Sequence, residues 1–444
     1  MFKNILEKFF VSLFGKLIGF LKIIVLINYY GTNYLTDSFI IVLSIYWFWS
    51  NIIVYSMFSV SLIPSLSKTI QTKEQLSITV GTIHSVNLVS ILGLLIVIVF
   101  PFQIISIFAP IDNPEFTFYS VKLLYLLSPL IILIPFTEIF TILNYYKKRM
   151  KTASINLTVW NSFQLISIIL AFHLFSDEVY LIYFFSIFTV LGYSITAFIQ
   201  IKSNSYFKYF NIIKLFKISI NNFCDIVGKN YIFFFATLFS QLNIYIDNFF
   251  ISFLNEGFVS KYNIIIKVPE VVQSLLISSL SVVFFNKIVE KNVKEKKIFI
   301  NFIIYLIPII IVAVLLANYI GSDFLYLIYN KSSFGGLDKS ELTGILTIIS
   351  INIFFMISVA LLLKIYISKN LTKVILNASI LNVIVNTVAN YLVISEYGIF
   401  GIALTTLIST YILNWILYSY YFKLNFFKNI ILGLILLLLI LIFI

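Results

Sequence analysis

Thirteen apolar stretches, each about as long as a helix that crosses a bilayer, occupy nearly all of this chain. Their cores fall at 9–28, 39–63, 80–108, 118–145, 153–174, 179–201, 230–254, 259–286, 298–320, 343–367, 374–394, 398–422 and 429–444. Hydrocarbon offers a backbone no hydrogen-bond partner, so a span of ~20 apolar residues must close its own bonds as a helix. A chain that is 61% hydrophobic, 11% charged and of mean hydropathy +1.04 is therefore expected to be an all-α polytopic membrane protein. The first stretch carries two lysines and lacks a small-residue cleavage site, so it reads as a span and not as a cleavable signal peptide.

Basic residues set the orientation. With the N-terminus inside, 22 of the 30 fall in inner segments, two (Lys331 and Lys339) in outer loops, and six within spans. Ten of the 18 acidic residues fall on the outer side, among them Asp112, Glu115, Asp177, Glu178 and Glu396. This alternation predicts a cytoplasmic N-terminus. The net charge of +12 then reports topology and attraction to anionic headgroups, with no nucleic-acid partner implied. Cys224 is single, and His84 and His173 are too few for a metal cluster. No phosphate-binding glycine loop is present, which argues against ATP-driven transport by this chain alone.

The six lysines inside spans are Lys16, Lys22, Lys122, Lys261, Lys267 and Lys364. A cation at the bilayer centre costs ~2.5–3.5 kcal/mol even on the lenient insertion scale, a cost met where it faces a water-filled cavity. Lys22 lies ~20 Å up the first span and Lys267 ~12 Å down the eighth, which places them at similar depth. Lys16 is ~9 Å lower than Lys22 and ~120° around the helix, so both can face only a wide cavity. Lys122, Lys261 and Lys364 read better as snorkelling to the nearer interface, and Lys16 is open to both readings. Three acids also lie within spans: Glu138 in a proline-broken helix, Asp247, and Glu270 one turn from Lys267.

The chain divides near its middle. Residues 202–228 mix lysines with apolar residues at helical spacing and are expected to lie on the inner leaflet. They would join an N-terminal lobe (1–201, six spans) to a C-terminal lobe (229–422, six spans), with 423–444 adding a thirteenth span. A faint repeat pairs 34–42 (YLTDSFIIV) with 258–266 (FVSKYNIII), each opening the second helix of its lobe. Asp37 and Lys261 hold matching places in it with opposite charges, which predicts an outer gate. The alternative is that each meets water and headgroups separately.

Three blocks carry a family resemblance: GKLIGFLKIIVLINYYGTNYLTDSFIIVLSI (15–45), SQLNIYIDNFFISFLNEGFVSKYNIIIKVPE (240–270) and NVIVNTVANYLVISEYGIFGIALTTLIS (382–409). In that order they resemble the lipid II flippase family, a branch of the multidrug/oligosaccharidyl-lipid/polysaccharide exporter superfamily. The resemblance implies two six-helix lobes around a central cationic cavity. Its cargo would be a sugar on undecaprenyl pyrophosphate, moved from the inner to the outer leaflet of the bacterial cytoplasmic membrane. Lys16, Lys22 and Lys267 match cavity arginines that meet the pyrophosphate, and Asp37 matches an aspartate opening the second span. Asp247, Asn386, Asn390 and Thr406 resemble the ligands of a monovalent-cation site, with Asn390 where an aspartate is expected.

On its own chemistry, a carboxylate with amide and hydroxyl oxygens suits a hard cation such as sodium, and Asn386 and Asn390 share a helix face. A polar interhelical hydrogen-bond cluster fits the same residues equally. The chain departs from the family in its lysines for arginines, in Ser50 where another basic residue is expected, and in thirteen spans in place of fourteen. These departures favour an O-antigen or capsule repeat unit as cargo, with the polysaccharide polymerase machinery as partner and lipid II as the alternative. A polymerase would carry a large catalytic outer loop, which 321–342 does not resemble. A drug efflux carrier would not need several deep cations.

Overall fold

The structure, a computed structural model, describes residues 2–53, 72–111, 113–147, 149–203, 215–289, 295–329, 331–369 and 371–423. The expected thirteenth span and residues 204–214 of the expected linker lie outside the described residues, as do the side chains of His84 and Cys224. Seven helices among the described residues are long and apolar enough to cross a membrane, or nine if each of two bent pairs is one span.

The first half carries α1 (Phe2–Tyr30), α2 (Tyr34–Ser50), α3 (Thr72–Val99), α4 (Pro101–Phe108), α5 (Pro114–Leu127), α6 (Leu130–Tyr146), α7 (Met150–Ser154), α8 (Asn156–Leu174) and α9 (Glu178–Lys202). Then come α10 (Leu215–Ile251), α11 (Phe258–Val289), α12 (Glu295–Leu316), a wide π-type turn (Ala317–Gly321), α13 (Ser322–Ile328), α14 (Lys339–Ser368) and α15 (Thr372–Phe422). Several starts are capped by side chains: Asn33 closes a capping box with Thr36, and Asn113 precedes Pro114 at the first helical position.

Prolines redraw two of the expected spans. The stretch expected at 80–108 breaks at Phe100, before Pro101, and α4 turns by 95° from α3. A residue before proline is pushed out of helical geometry, which accounts for the break. The stretch expected at 118–145 starts at Pro114 and bends by 45° at Ser128–Pro129. The eleventh and twelfth expected spans are the two halves of α15, two helices that part at Gly398, whose φ of 50° suits a residue without a Cβ.

The chain forms two compact units, Met1–Gln241 and Leu242–Ile444, and the division falls within α10, which runs unbroken through it. In the first unit α1 and α8 pack closely because Gly15 and Gly19 form a small-xxx-small stripe. A Cβ at Gly15 would lie 2.9 Å from the backbone nitrogen of Thr158, and one at Gly19 would lie 2.6 Å from Asn161 Nδ2. The close approach lets Thr158 Oγ1 donate to the Val11 carbonyl at 3.2 Å and Asn161 Nδ2 to the Gly15 carbonyl at 3.0 Å. Helix α2 is pinned to α5 by Ser120 Oγ donating to Ser38 Oγ at 2.9 Å and by Tyr46 donating to the Leu124 carbonyl. An apolar cluster of Ile53, Ile83, Val86, Ile139, Phe140 and Leu143 joins α3 and α6.

In the second unit α14 is the most enclosed of the candidate spans and packs against α11, α12 and α15. Tyr366 donates to the Leu417 carbonyl at 2.6 Å, fixing α14 against the far part of α15.

Gly15→Ala drives a methyl into the α8 backbone and is expected to cost ~1–3 kcal/mol, seen as a lower thermal midpoint in detergent. Gly19→Ala displaces the Asn161 amide, so its main effect should fall on the site described next. Equal midpoints for Gly15→Ala and the parent protein would show that the helices have room to separate.

Candidate functional site

Helix α1 carries Lys22 two turns beyond Gly15, on the side that meets α8. Its side chain is only 8% exposed. The ammonium donates to Gln164 Oε1 at 2.8 Å and to Asn161 Oδ1 at 3.2 Å, and stands 4.7 Å over the Trp160 ring. Both amides are oriented from behind. Asn161 Nδ2 binds the Gly15 carbonyl, and Gln164 Nε2 donates to Thr189 Oγ1 at 2.8 Å, so each carbonyl oxygen is turned to the lysine. Trp160 in turn packs against Tyr193 and Trp47. Two amide oxygens and an indole face thus support a buried cation.

Asn161, Gln164 and Trp160 were not singled out from the sequence. The signal that could have found them is the Gly15/Gly19 stripe, which marks the face of α1 that a neighbouring helix approaches. Lys16 is half-buried six residues before Lys22. Asp37 is buried in the first turn of α2, where the helix dipole favours a carboxylate. Ser50 is buried at the end of α2, and Glu138 is half-buried in α6. Lys122 is exposed over the Phe118 ring, and in the second unit Lys364 is also exposed.

The second unit holds the other expected residues. Lys267 is 33% exposed and pairs with Glu270 at 2.5 Å, one turn on along α11. Lys261 departs from the snorkelling expected of it: it is buried, donates to the Gly335 carbonyl at 2.5 Å and lies 4.4 Å over the Phe258 ring. Asp37 and Lys261 belong to different units, and each is described within its own.

Asp247, Asn386, Asn390 and Thr406 come together. Asn386 and Asn390 each donate Nδ2 to Asp247 Oδ1 at 2.9 Å, and Thr406 donates to Oδ2 at 2.8 Å. Thr405 donates to Asn390 Oδ1. Three donors therefore converge on one buried carboxylate. Asn386 Oδ1 is buried without a hydrogen-bond partner, an acceptor oxygen beside the carboxylate. An acidic group, an orphaned amide oxygen and a hydroxyl make a donor set that fits a hard monovalent cation.

These two constellations, set in an all-helical bilayer fold, define a polytopic membrane transporter. The profile of the family described as lipid II flippase MurJ matches residues 26–444. Among solved structures, one titled lipid II flippase MurJ in an inward closed conformation is similar at TM-score 0.78 and 21% identity, covering 97% of this chain and 91% of that one. An inward-facing MATE-family multidrug resistance transporter of the MOP superfamily aligns at TM-score 0.68 and 12% identity, over 91% and 92% of the two chains. The Vibrio cholerae MATE transporter VcmN aligns at 0.65 and 13%, over 95% and 96%. Comparison with curated proteins by sequence gives no match. The chain belongs to the MurJ lipid II flippase family and has the MOP transporter fold.

Gln164→Leu leaves a buried ammonium short of an acceptor and is expected to cost ~1–3 kcal/mol, read as a lower thermal midpoint. Gln164→Glu restores an acceptor and should recover the midpoint while cancelling the charge. Transport should be lost in Gln164→Glu, which cancels the charge. Full transport by Gln164→Glu would show that the positive charge is not used.

Proposed function

We propose that this protein moves a saccharide carried on undecaprenyl pyrophosphate from the inner to the outer leaflet of the bacterial cytoplasmic membrane by alternating access. The observation that carries the reading is Lys22, a buried cation whose neighbours are two amide oxygens and an aromatic face. Pyrophosphate oxygens are anionic acceptors, so a bond to them adds opposite charge to the charge-assisted bonds that Lys22 already makes to amide oxygens. Lys267 would supply a second cation from the other unit by exchanging Glu270 for phosphate, and Lys16 would bind along the path from the inner side.

The family match moves the preferred saccharide from an O-antigen or capsule repeat unit to lipid II. Lysine acts as a point charge, so arginine should substitute at Lys22 and Lys267, whereas alanine should not. The test is depletion of the native lipid II flippase in cells carrying each variant, with protein levels matched. Lys22→Ala and Lys267→Ala are expected to abolish growth and flipping, and arginine to retain both. Rescue of polysaccharide export but not of lipid II flipping would return the cargo to a surface-polysaccharide repeat unit.

The Asp247 group is the proposed sodium site and would couple ion binding to resetting of the carrier. Asn386 and Asn390 would turn their amides so that oxygen replaces nitrogen toward Asp247. Sodium, compared with choline at equal ionic strength, should raise the thermal midpoint, with ~2.7 kcal/mol of stabilisation at a hundredfold excess over Kd. Asp247→Ala should remove that response. A response that persists in Asp247→Ala would place the ion elsewhere.

Asp37 and Lys261 remain the proposed outer gate, closed when the cavity opens inward. Both side chains are buried, and removing one partner of a buried ion pair leaves an uncompensated charge. Asp37→Lys and Lys261→Asp should each impair transport, and the double exchange should recover it. A double variant no better than the worse single excludes the latch.

A further inference from the structure

A cavity of about 310 Å³ in the second unit shares no residue with the Asp247 group or with the Lys267–Glu270 pair. It is bounded by the first residue of α11, the turn before α14, the first turn of α14 and the break in α15. Two carboxylates line it, Glu341 and Glu396, together with three rings, Phe258, Tyr397 and Phe400. Pockets for small ligands start at about this size and combine apolar walls with a few polar groups. The backbone accounts for the opening. Gly398 parts the two halves of α15 and leaves Glu396 and Tyr397 exposed, and Gly336, at a φ of 86°, turns the chain beside Phe258. Lys261 holds that turn by donating to the Gly335 carbonyl. Phe400 closes against Gly344, where a Cβ would lie 2.8 Å from the ring.

Among the described residues the walls carry two formal negative charges and no basic side chain. Neither glutamate belongs to an ion pair among these residues, and Lys339, two positions before Glu341, pairs with Asp323 at 2.5 Å. Glu341 accepts a hydrogen bond from the Asp338 backbone, which orients the carboxylate and leaves it further lone pairs. Two carboxylates on one cavity repel each other, and a cation between them removes that cost. The rings share the preference: the Phe258 ring already carries the Lys261 ammonium 4.4 Å from its centroid. A neutral ligand would leave both charges unanswered, and a bare metal ion would fill little of the cavity. We infer that the cavity binds the primary ammonium group of an organic cation. Glu341 and Glu396 accept its N–H bonds, and Phe258, Tyr397 and Phe400 pack its alkyl part. The expected orientation puts the cavity on the outer side, where an ammonium can come from a phospholipid headgroup or from a soluble amine. The inference stands apart from the cargo and sodium readings.

The test is calorimetric titration of the full-length purified protein in detergent with propylammonium chloride at constant ionic strength, with choline and magnesium chlorides as comparisons. The parent protein should bind propylammonium, and should bind choline, which has no N–H to donate, about tenfold or more weakly. Glu341→Gln and Glu396→Gln should each weaken propylammonium binding about tenfold or more, the loss of one charge-assisted bond. Tyr397→Leu should weaken it less, and Tyr397→Phe should retain it. Glu396 and Tyr397 are exposed, so their variants should keep the parent's thermal midpoint, which separates lost binding from lost fold. Repeating the titration in bilayer discs of phosphatidylethanolamine and of phosphatidylcholine identifies the source. Binding lost only in phosphatidylethanolamine marks the headgroup as occupant, and equal binding in both marks a soluble amine. No binding by the parent, binding unchanged in both glutamine variants, or tighter binding of magnesium or choline than of propylammonium overturns the ammonium site.

Discussion

Within the hydrocarbon, no water is at hand to satisfy a polar group, and every donor and acceptor must find its partner inside the protein. That single constraint makes the chain helical throughout its spans and dictates how each polar side chain behaves. Ser85, Thr137, Thr141, Ser186 and Thr196 turn back onto carbonyls one turn behind them. Larger amides also reach across to a neighbour. Asn144, Gln200 and Asn156 do so in a chain that ties α6, α8 and α9, with Asn156 donating onward to Thr141 at 2.6 Å. Where such amides meet an ionisable group, the constraint produces a site in place of a staple.

The two sites obey the same rule with the signs reversed. At Lys22 the amides present oxygen to a cation, and at Asp247 they present nitrogen to an anion. Asparagine and glutamine can do either by turning about one bond, and this makes them suited to a carrier whose ligand comes and goes. The orientation at Lys22 is fixed by Gly15 and Thr189 behind the amides, so the proposed phosphate would compete with oxygens that stay in place. At Asp247 the Asn386 amide is held through its nitrogen, by Asp247 and by the Asn243 carbonyl, and its oxygen is unpartnered.

Much of the fold was legible in the sequence because span length is set by bilayer thickness and not by details of packing. The depth of Lys22 and the convergence of Asp247, Asn386, Asn390 and Thr406 were legible too, since few polar residues sit so far inside apolar runs. The break at Phe100 was missed although Pro101 marks it, because the run stays apolar through the turn. Asn161 and Gln164 were passed over for a different reason. An amide in a span has many chemically equivalent uses, and only the rotation of its helix decides which neighbour it meets. That rotation is fixed by close contacts such as Gly19 against Asn161, which become visible once the helices are placed.

The departures from the family pattern become consistent with transport once charge is counted site by site. A lysine ammonium rotates freely about its terminal bond, so Lys22 can exchange an amide oxygen for a phosphate oxygen without moving its stem. Arginine, with a rigid fork of five donors, would leave more of them unmet when cargo is absent. At the other site, Asn390 in place of a carboxylate leaves Asp247 as the one formal charge in the group. One bound sodium then makes the cluster neutral, whereas a second carboxylate would leave net charge buried in a low-dielectric interior. The same substitution lowers the electrostatic pull on the ion, so release should be easier and neutral oxygens nearby matter more. On the proposed reading of this group as a sodium site, the weaker central charge suits an ion that leaves on every cycle.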